Sequence, residues 1–257
     1  MNKIIFGLLT MAMLFVSCKK EDVKPEEKPI EKIKLGEATT AKNEKMTLWS
    51  EAALTTGFHK LYLSVTDANN RNIVNAIVNF QPLMDMGTMI HSSPVEQPVY
   101  KTVSGLYEGA AVFTMPSGMH TWMVNVTVNG EMKTFNVTIP DAKTKIVGSY
   151  VGTDGNKYVL ALVPPKKWDA GMNDLEILVN QNQMMTFPAI NDFKIAFSPE
   201  MPSMGHGSPN NVNPVNIGNG HYKGKVNYTM TGDWRLHFKI SKNDVVIVDD
   251  ATIDILF

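Results

Sequence analysis

Two loop stretches of the sequence combine methionine with histidine. Their methionines lie two or three residues apart and a histidine follows: Met201, Met204 and His206 in MPSMGHGS, and Met84, Met86, Met89 and His91 in MDMGTMIH. Thioether sulfur is soft and neutral, and imidazole is a borderline ligand. Such a set favours Cu(I) over zinc, which prefers thiolate, imidazole or carboxylate, and over calcium and magnesium, which prefer oxygen. We therefore predict copper, as Cu(I), at these residues.

Core packing is the alternative explanation for methionine, because its flexible side chain fills irregular gaps. The two stretches lie beyond the last apolar strand residues, Phe80 and Phe197, in segments rich in glycine and proline. Glycine gives the backbone the freedom that lets neighbouring side chains converge. Met115 and Met230, in contrast, follow strand alternation and are predicted core residues. A fourth ligand could come from Met230, from His221 or from a partner protein.

An internal repeat places both stretches at equivalent points of the chain. From Phe80 the chain reads FQPLMDMGTMIHSSPVEQPV, then GLYEGAAVFTM, then Trp122. From Phe197 it reads FSPEMPSMGHGSPNNVNPV, then GHYKGKVNYTM, then Trp234. Such self-similarity indicates two copies of one structural unit. Core filling alone gives no reason for methionines to recur beside a histidine in both copies.

Each unit consists of short strands with one buried face. Leu61, Leu63 and Val65 alternate with more polar neighbours, and Asn129-Gly130 is typical of a two-residue hairpin turn. No stretch shows helical periodicity. About seven short strands in roughly 95 residues predict an all-β fold of two tandem Ig-like antiparallel β-sandwiches. The predicted sandwiches cover 46–140 and 157–257, and a linker or an extra hairpin covers 141–156.

The N-terminal segment predicts export and anchoring. MNKIIFGLLTMAMLFVSC has a lysine, an apolar run too short to span a membrane, and small residues before Cys18. Its end resembles the lipobox of bacterial lipoproteins, in which the cysteine is lipidated, and CKKED resembles a surface-export signal of Bacteroidetes type. We predict a signal peptide at 1–18, lipidation at Cys18 and a flexible charged linker at 19–45. A secreted protein with a leftover thiol is the alternative.

A set of motifs then connects the two units to a known family. The motifs are G-x-N/H-x-L-x-L-x-V, a P-x-M-x-M-G or P-x-M-P-x-M-G-H loop, G-x-Y-x-G/A and a closing M-x-G-D-W-R-L, clearest at 171–179 and 201–238. This pattern resembles the YtkA-like and FixH-like family of small extracytoplasmic β-sandwich domains. The resemblance implies likeness to CopC-type copper carriers and a link with copper transport or haem-copper oxidase assembly. The first copy departs from the pattern, with MPSGMHTW in place of MTGDW.

These features predict a lipoprotein of the cell envelope, anchored to the outer membrane and facing the periplasm or the surface, that binds copper for carriage, tolerance or delivery. Thioethers suit copper outside the reducing cytoplasm because they cannot form disulfides. Expected partners are the membrane, through the lipid anchor, and a copper transporter, efflux system or oxidase-assembly factor. A structural or glycan-binding Ig-like surface lipoprotein without metal is the alternative.

Composition and motifs argue against two other functional classes. The net charge of −1 predicts no basic surface for nucleic acid. The sequence has no phosphate-binding glycine loop, no zinc-protease helix, no cysteine nucleophile and no serine in a strand-turn-helix elbow. We therefore expect neither nucleic-acid binding nor enzymatic activity.

Overall fold

The structure is a computed structural model that describes residues 31–257. Every regular element in that range is an antiparallel β-strand, which confirms the predicted all-β class. Within the same range, no helix has the length and apolar character to cross a membrane. The predicted signal peptide at 1–18, the lipidated Cys18 and the first part of the predicted linker lie outside the described residues.

The first sandwich contains nine strands in two sheets. One sheet has the order β1-β2-β3-β7-β6 and the other has the order β5-β4-β8-β9. The strands are β1 (Ile33–Thr39), β2 (Lys45–Ser50), β3 (Gly57–Thr66), β4 (Val78–Asp85), β5 (Ile90–Ser92), β6 (Val95–Lys101), β7 (Leu106–Phe113), β8 (Thr121–Val128) and β9 (Glu131–Val137).

The second sandwich repeats this arrangement strand for strand. Its sheets have the orders β10-β11-β12-β16-β15 and β14-β13-β17-β18, so β13 corresponds to β4 and β17 to β8. The strands are β10 (Val147–Val151), β11 (Lys157–Leu162), β12 (Gly171–Asn182), β13 (Lys194–Met201), β14 (His206–Gly207), β15 (Val212–Gly218), β16 (His221–Tyr228), β17 (Asp233–Lys242) and β18 (Val245–Leu256).

Alternation of apolar side chains creates a separate core in each sandwich. Along β17, Trp234, Leu236 and Phe238 are fully buried, because successive side chains of a strand point to opposite faces of its sheet. The predicted hairpin between β8 and β9 is present, and both Asn129 and Gly130 have the positive φ that a two-residue turn of this kind requires.

Two predicted linkers contain strands. The flexible linker predicted at 19–45 is wrong for residues 33–39, which form β1 and pair with β2. Leu35 and Ala38 pack against the first core. Because the strand buries so few residues, its charged composition resembled that of a linker. In the predicted linker at 141–156, residues 147–151 form β10, which pairs with β11 as an added hairpin.

A third apolar cluster joins the two sandwiches. It lies between the outer faces of the two five-stranded sheets, so each of these sheets is buried on both faces over part of its area. The alternation of apolar and polar residues did not predict this second buried face. β11 consequently has a nearly continuous buried run. The cluster consists of Phe58, Ala110 and Val112 from the first sandwich and Val159, Ala161 and Leu178 from the second.

A histidine between two carboxylates adds a polar contact to this apolar interface. His221 of β16 binds Glu176 of β12 through Nδ1 at 2.9 Å, and its Nε2 binds Glu96 of β6 in the first sandwich. Both nitrogens must be protonated to donate to both carboxylates. The bonds to Glu176 and Glu96 accordingly raise the pKa of His221 to about 9. The Lys223 ammonium lies 2.8 Å from the second oxygen of Glu176 and faces the same group.

The charged bridge predicts a pH-dependent contribution to stability. A raised histidine pKa stabilises the fold fully below the ordinary value of 6.5, and this contribution disappears as pH rises through about 9. We expect His221→Gln to lower the free energy of unfolding by roughly 2 kcal/mol at about pH 6 and by much less at about pH 10. Urea unfolding of the full chain at both pH values measures the difference.

His237→Gln is a matched control, because His237 also contacts two carboxylates but lies on the exposed face of a single sheet. An equal loss for His221→Gln at both pH values would contradict the charged bridge and leave only a packing role.

Candidate metal site

Both predicted metal loops are tight β-hairpins at the same point of the fold. In the second sandwich β13 and β14 form the hairpin, and Met201 lies directly opposite His206. In the first sandwich β4 and β5 form it, and Met84 lies directly opposite His91. Opposed residues of an antiparallel pair project from the same face with Cβ atoms about 4.5–5.5 Å apart. The structure therefore makes one methionine and one histidine neighbours in each copy.

In the second hairpin, one methionine is buried and the other is exposed. Met201 is 4% exposed and belongs to the core, whereas Met204 is 59% exposed. The amides of Met204 and Gly205 both donate to the Met201 carbonyl, at 3.1 and 2.8 Å. Gly205 has a φ of +64°, which closes the turn before His206. Met204 thus lies at the turn between the paired residues, with its side chain towards solvent.

The first hairpin distributes its methionines in a similar way. Met84 is 2% exposed and lies in the core, Met86 packs partly against that core, and Met89 is 58% exposed. The amide of Met86 donates to the Met89 carbonyl at 2.9 Å and closes the turn. Of the four predicted residues in this copy, the structure pairs Met84 with His91 and places Met86 and Met89 in the turn.

The hydrogen bond of His206 leaves one ring nitrogen available as a ligand. Its Nδ1 lies 3.0 Å from the carbonyl oxygen of Gly207. A carbonyl only accepts, so Nδ1 must carry the hydrogen, and in the neutral ring Nε2 then has the free electron pair. This is the tautomer that metal-binding histidines commonly adopt when a backbone carbonyl accepts from the other nitrogen.

A buried tryptophan lies beside each hairpin, and the sequence did not indicate this proximity. Trp122 lies opposite Met84 in the β4–β8 register, and the ring of Trp234 meets that of His206 edge to face at 5.9 Å. Each indole N–H donates to a methionine carbonyl at 3.0 Å, from Trp122 to Met115 and from Trp234 to Met230. Both tryptophans are almost completely buried in the cores of their sandwiches.

The residues proposed as a fourth ligand have different positions. Met230 is 38% exposed beside Trp234 and is not one of the buried core residues, although strand alternation predicted it to be. His221 lies in the interface between the sandwiches, where carboxylates occupy both ring nitrogens. His221 is therefore engaged elsewhere, and Met230 remains near the second hairpin.

A hydroxyl–carboxylate contact at the second hairpin was also missed. The Ser203 amide donates to Asp233 Oδ2 at 3.1 Å, and the Ser203 hydroxyl donates to Oδ1 of the same carboxylate. These bonds, the hydroxyl bond foremost, lower the pKa of Asp233. The sequence indicates this contact only through the presence of MPSMGH and GDW in the same unit. That pattern is informative only if the two motifs are known to be in contact in the fold.

Comparisons with known proteins give a family match and distant solved structures. Residues 153–239 match the model of the YtkA-like family. No curated protein matches the chain. Among solved structures, Yersinia pseudotuberculosis InvD is 18% identical to this chain with a TM-score of 0.27. The match covers 79% of this chain and 52% of the InvD chain. The Escherichia coli adhesin FdeC is 14% identical with a TM-score of 0.30, covering 86% and 66%.

A third solved structure, the Yersinia pseudotuberculosis adhesin InvE, is 13% identical with a TM-score of 0.27 and covers 79% of this chain and 55% of its own. This chain thus spans about half to two thirds of the length of these proteins. The family match covers most of the second sandwich, including its hairpin and the GDW segment, and does not extend to the first. Residues 153–239 of the second sandwich are thus similar to a YtkA-like domain, and the all-β fold of the chain fits an extracytoplasmic β-sandwich protein.

Proposed function

We propose that this chain binds Cu(I) through the hairpin of its second sandwich, with Met201, Met204 and His206 as ligands. The observation that carries the proposal is the cross-strand pairing of methionine with histidine at the same point of both sandwiches. Two neutral thioethers and one imidazole form a soft donor set that needs no buried carboxylate. Bound Cu(I) would be held for carriage, tolerance or delivery.

The geometry supports this donor set in three ways. Met201 and His206 are cross-strand neighbours, so the His206 side chain can approach the buried Met201 sulfur by a rotamer change, without movement of the backbone. His206 Nε2 is free because Nδ1 is engaged by Gly207. Met204 is exposed at the turn and has three rotatable side-chain bonds, so its sulfur can close over the pair from the solvent side.

Exposure of the turn also suits transfer. A partner's ligand would reach the site from the side of Met204, while Met201 stays in the core.

We further propose that the chain is lipid-anchored through Cys18 to the outer membrane, and that a copper transporter, efflux system or oxidase-assembly factor exchanges copper with it. Two acyl chains or more would hold the sandwiches near such a partner.

The second site predicts a defined loss of Cu(I) affinity on substitution. In an anaerobic competition between the full chain and a chromophoric Cu(I) chelator, we expect Met204→Leu and His206→Ala each to weaken the tighter site by at least about tenfold. Met201→Leu keeps the volume of the core residue and should also weaken it, with a cost in folding below about 1.5 kcal/mol. The triple variant should lose one equivalent of bound copper.

Met132→Leu is the matched control, because Met132 is exposed at the far end of the β8–β9 hairpin, away from both metal loops. Unchanged stoichiometry in the triple variant would refute the second site. Failure of the wild-type chain to compete at all would refute copper binding and favour a structural or glycan-binding role, with the hairpins as contact surface.

The first hairpin predicts a weaker, separate site. Met84 and His91 form the same pair there, but the turn sequence differs from that of the second copy. We expect Met84→Leu with His91→Ala to remove a second, weaker equivalent of Cu(I) and to leave the tighter one unchanged. Titration of this variant beside the second-site triple variant measures the two separately, and a loss of the tighter equivalent in both would contradict independent sites.

A further inference from the structure

The segment at the start of β17 contacts three members of the second hairpin. Residues 232–234 read Gly-Asp-Trp, and each of the three touches a different hairpin residue. The contacts are Gly232 with the Met201 side chain, Asp233 with Ser203, and Trp234 with the His206 ring. One short segment therefore faces both paired ligands and the turn between them.

The contact at Gly232 requires the absence of a side chain. A Cβ at this position would overlap the terminal methyl group of Met201, and Gly232 also has a φ of +141°, which other residues rarely adopt. The Gly232 amide donates to the Phe257 carbonyl at 2.8 Å, which fixes the segment against the end of β18. Met201 thus rests against a backbone that is itself held in place.

The contact at Asp233 is the only one of the three made by a charged group. One carboxylate oxygen accepts from the Ser203 amide and the other accepts from the Ser203 hydroxyl. Hydrogen bonds to a charged acceptor are about twice as strong as neutral ones. Ser203 lies two residues after Met201 and three before His206, so the carboxylate holds the centre of the turn.

We infer that Asp233 is a positioning residue, whose carboxylate orients the Met201–His206 hairpin for metal binding by holding Ser203. This inference rests on the proposed Cu(I) site. The carboxylate itself is engaged by Ser203 and supplies no ligand. The contact restricts the turn before metal binds. Less conformational entropy is therefore lost when the side chains converge on an ion.

The first sandwich lacks this arrangement. There the residue before the tryptophan is Thr121, and the nearby acid, Asp85, accepts from the Gly87 amide of its own turn at 2.7 Å. The Asp85 carboxylate thus bonds within its own turn, whereas the Asp233 carboxylate bonds to the turn of a neighbouring hairpin. The second hairpin therefore has a carboxylate contact from β17 at the centre of its turn, and this contact is our basis for assigning the tighter site to the second copy.

A double-mutant cycle tests the inference in the full chain. We expect Asp233→Ala and Ser203→Ala each to lower Cu(I) affinity at the tighter site by about 10- to 100-fold, as loss of an outer partner of a metal ligand does. The double variant should be no weaker than Asp233→Ala alone, because that change already removes both bonds, whereas Ser203→Ala removes only the hydroxyl bond. Ser203→Thr keeps the hydroxyl and should retain most of the affinity. Additive losses, or no loss in either single variant, would overturn the inference.

A measurement without copper separates this inference from the proposed function. In the metal-free chain, Asp233→Ala should speed hydrogen exchange at the Ser203 amide, which then has no acceptor, with little change in exchange along β17. Asp174→Asn, an exposed acid on β12, is the matched control. Unchanged exchange at Ser203 would refute the contact. Faster exchange in a chain whose wild type binds no Cu(I) would refute the copper site and, with it, the positioning role.

Discussion

Each sandwich depends on a buried tryptophan that ties a loop to a strand. Trp122 and Trp234 are almost completely buried, and a buried N–H without an acceptor costs about 1–3 kcal/mol. Their indole groups avoid this cost only because the carbonyls of Met115 and Met230 are held within reach. Trp234 also contacts the ring of His206, and Trp122 lies opposite Met84 in the sheet register. Each indole hydrogen bond therefore ties a neighbouring loop to the strand that adjoins a methionine–histidine pair.

In the proposed Cu(I) site, the second hairpin would combine a fixed donor with a mobile one. Met201 is held by core packing, so its sulfur changes position little, whereas Met204 lies in water on a turn. A site made only of buried sulfurs would exchange its ion slowly, and a site made only of exposed ones would lose rotamer entropy at every ligand. His206, half-buried against Trp234, lies between these extremes.

Local features of the fold were predictable from the sequence, but contacts between distant segments were not. Period-two alternation and the Asn129-Gly130 turn predicted strands and a hairpin because both depend on near neighbours. The repeat predicted that the two methionine–histidine loops occupy equivalent positions in the two sandwiches. The bridge from His221 to Glu96 joins residues 125 apart in the chain, and no periodicity reports such a contact. Asp233 could be recognised only as part of the GDW motif, because its role as a hydrogen-bond acceptor depends on how the hairpin folds back onto β17.

The contact between the two sandwiches is heterologous, since the two copies use different surfaces for it. Ala110 and Val112 of β7 lie in this interface, but the residues at their equivalent positions in β16 are Lys225 and Asn227. Heterologous contacts can propagate into open-ended fibres when the free surface repeats the buried one. Here a further copy that stacked in the same way would bury the ammonium of Lys225, now paired with Asp174 in solvent. The divergence of two side chains thus disfavours polymerisation by this contact.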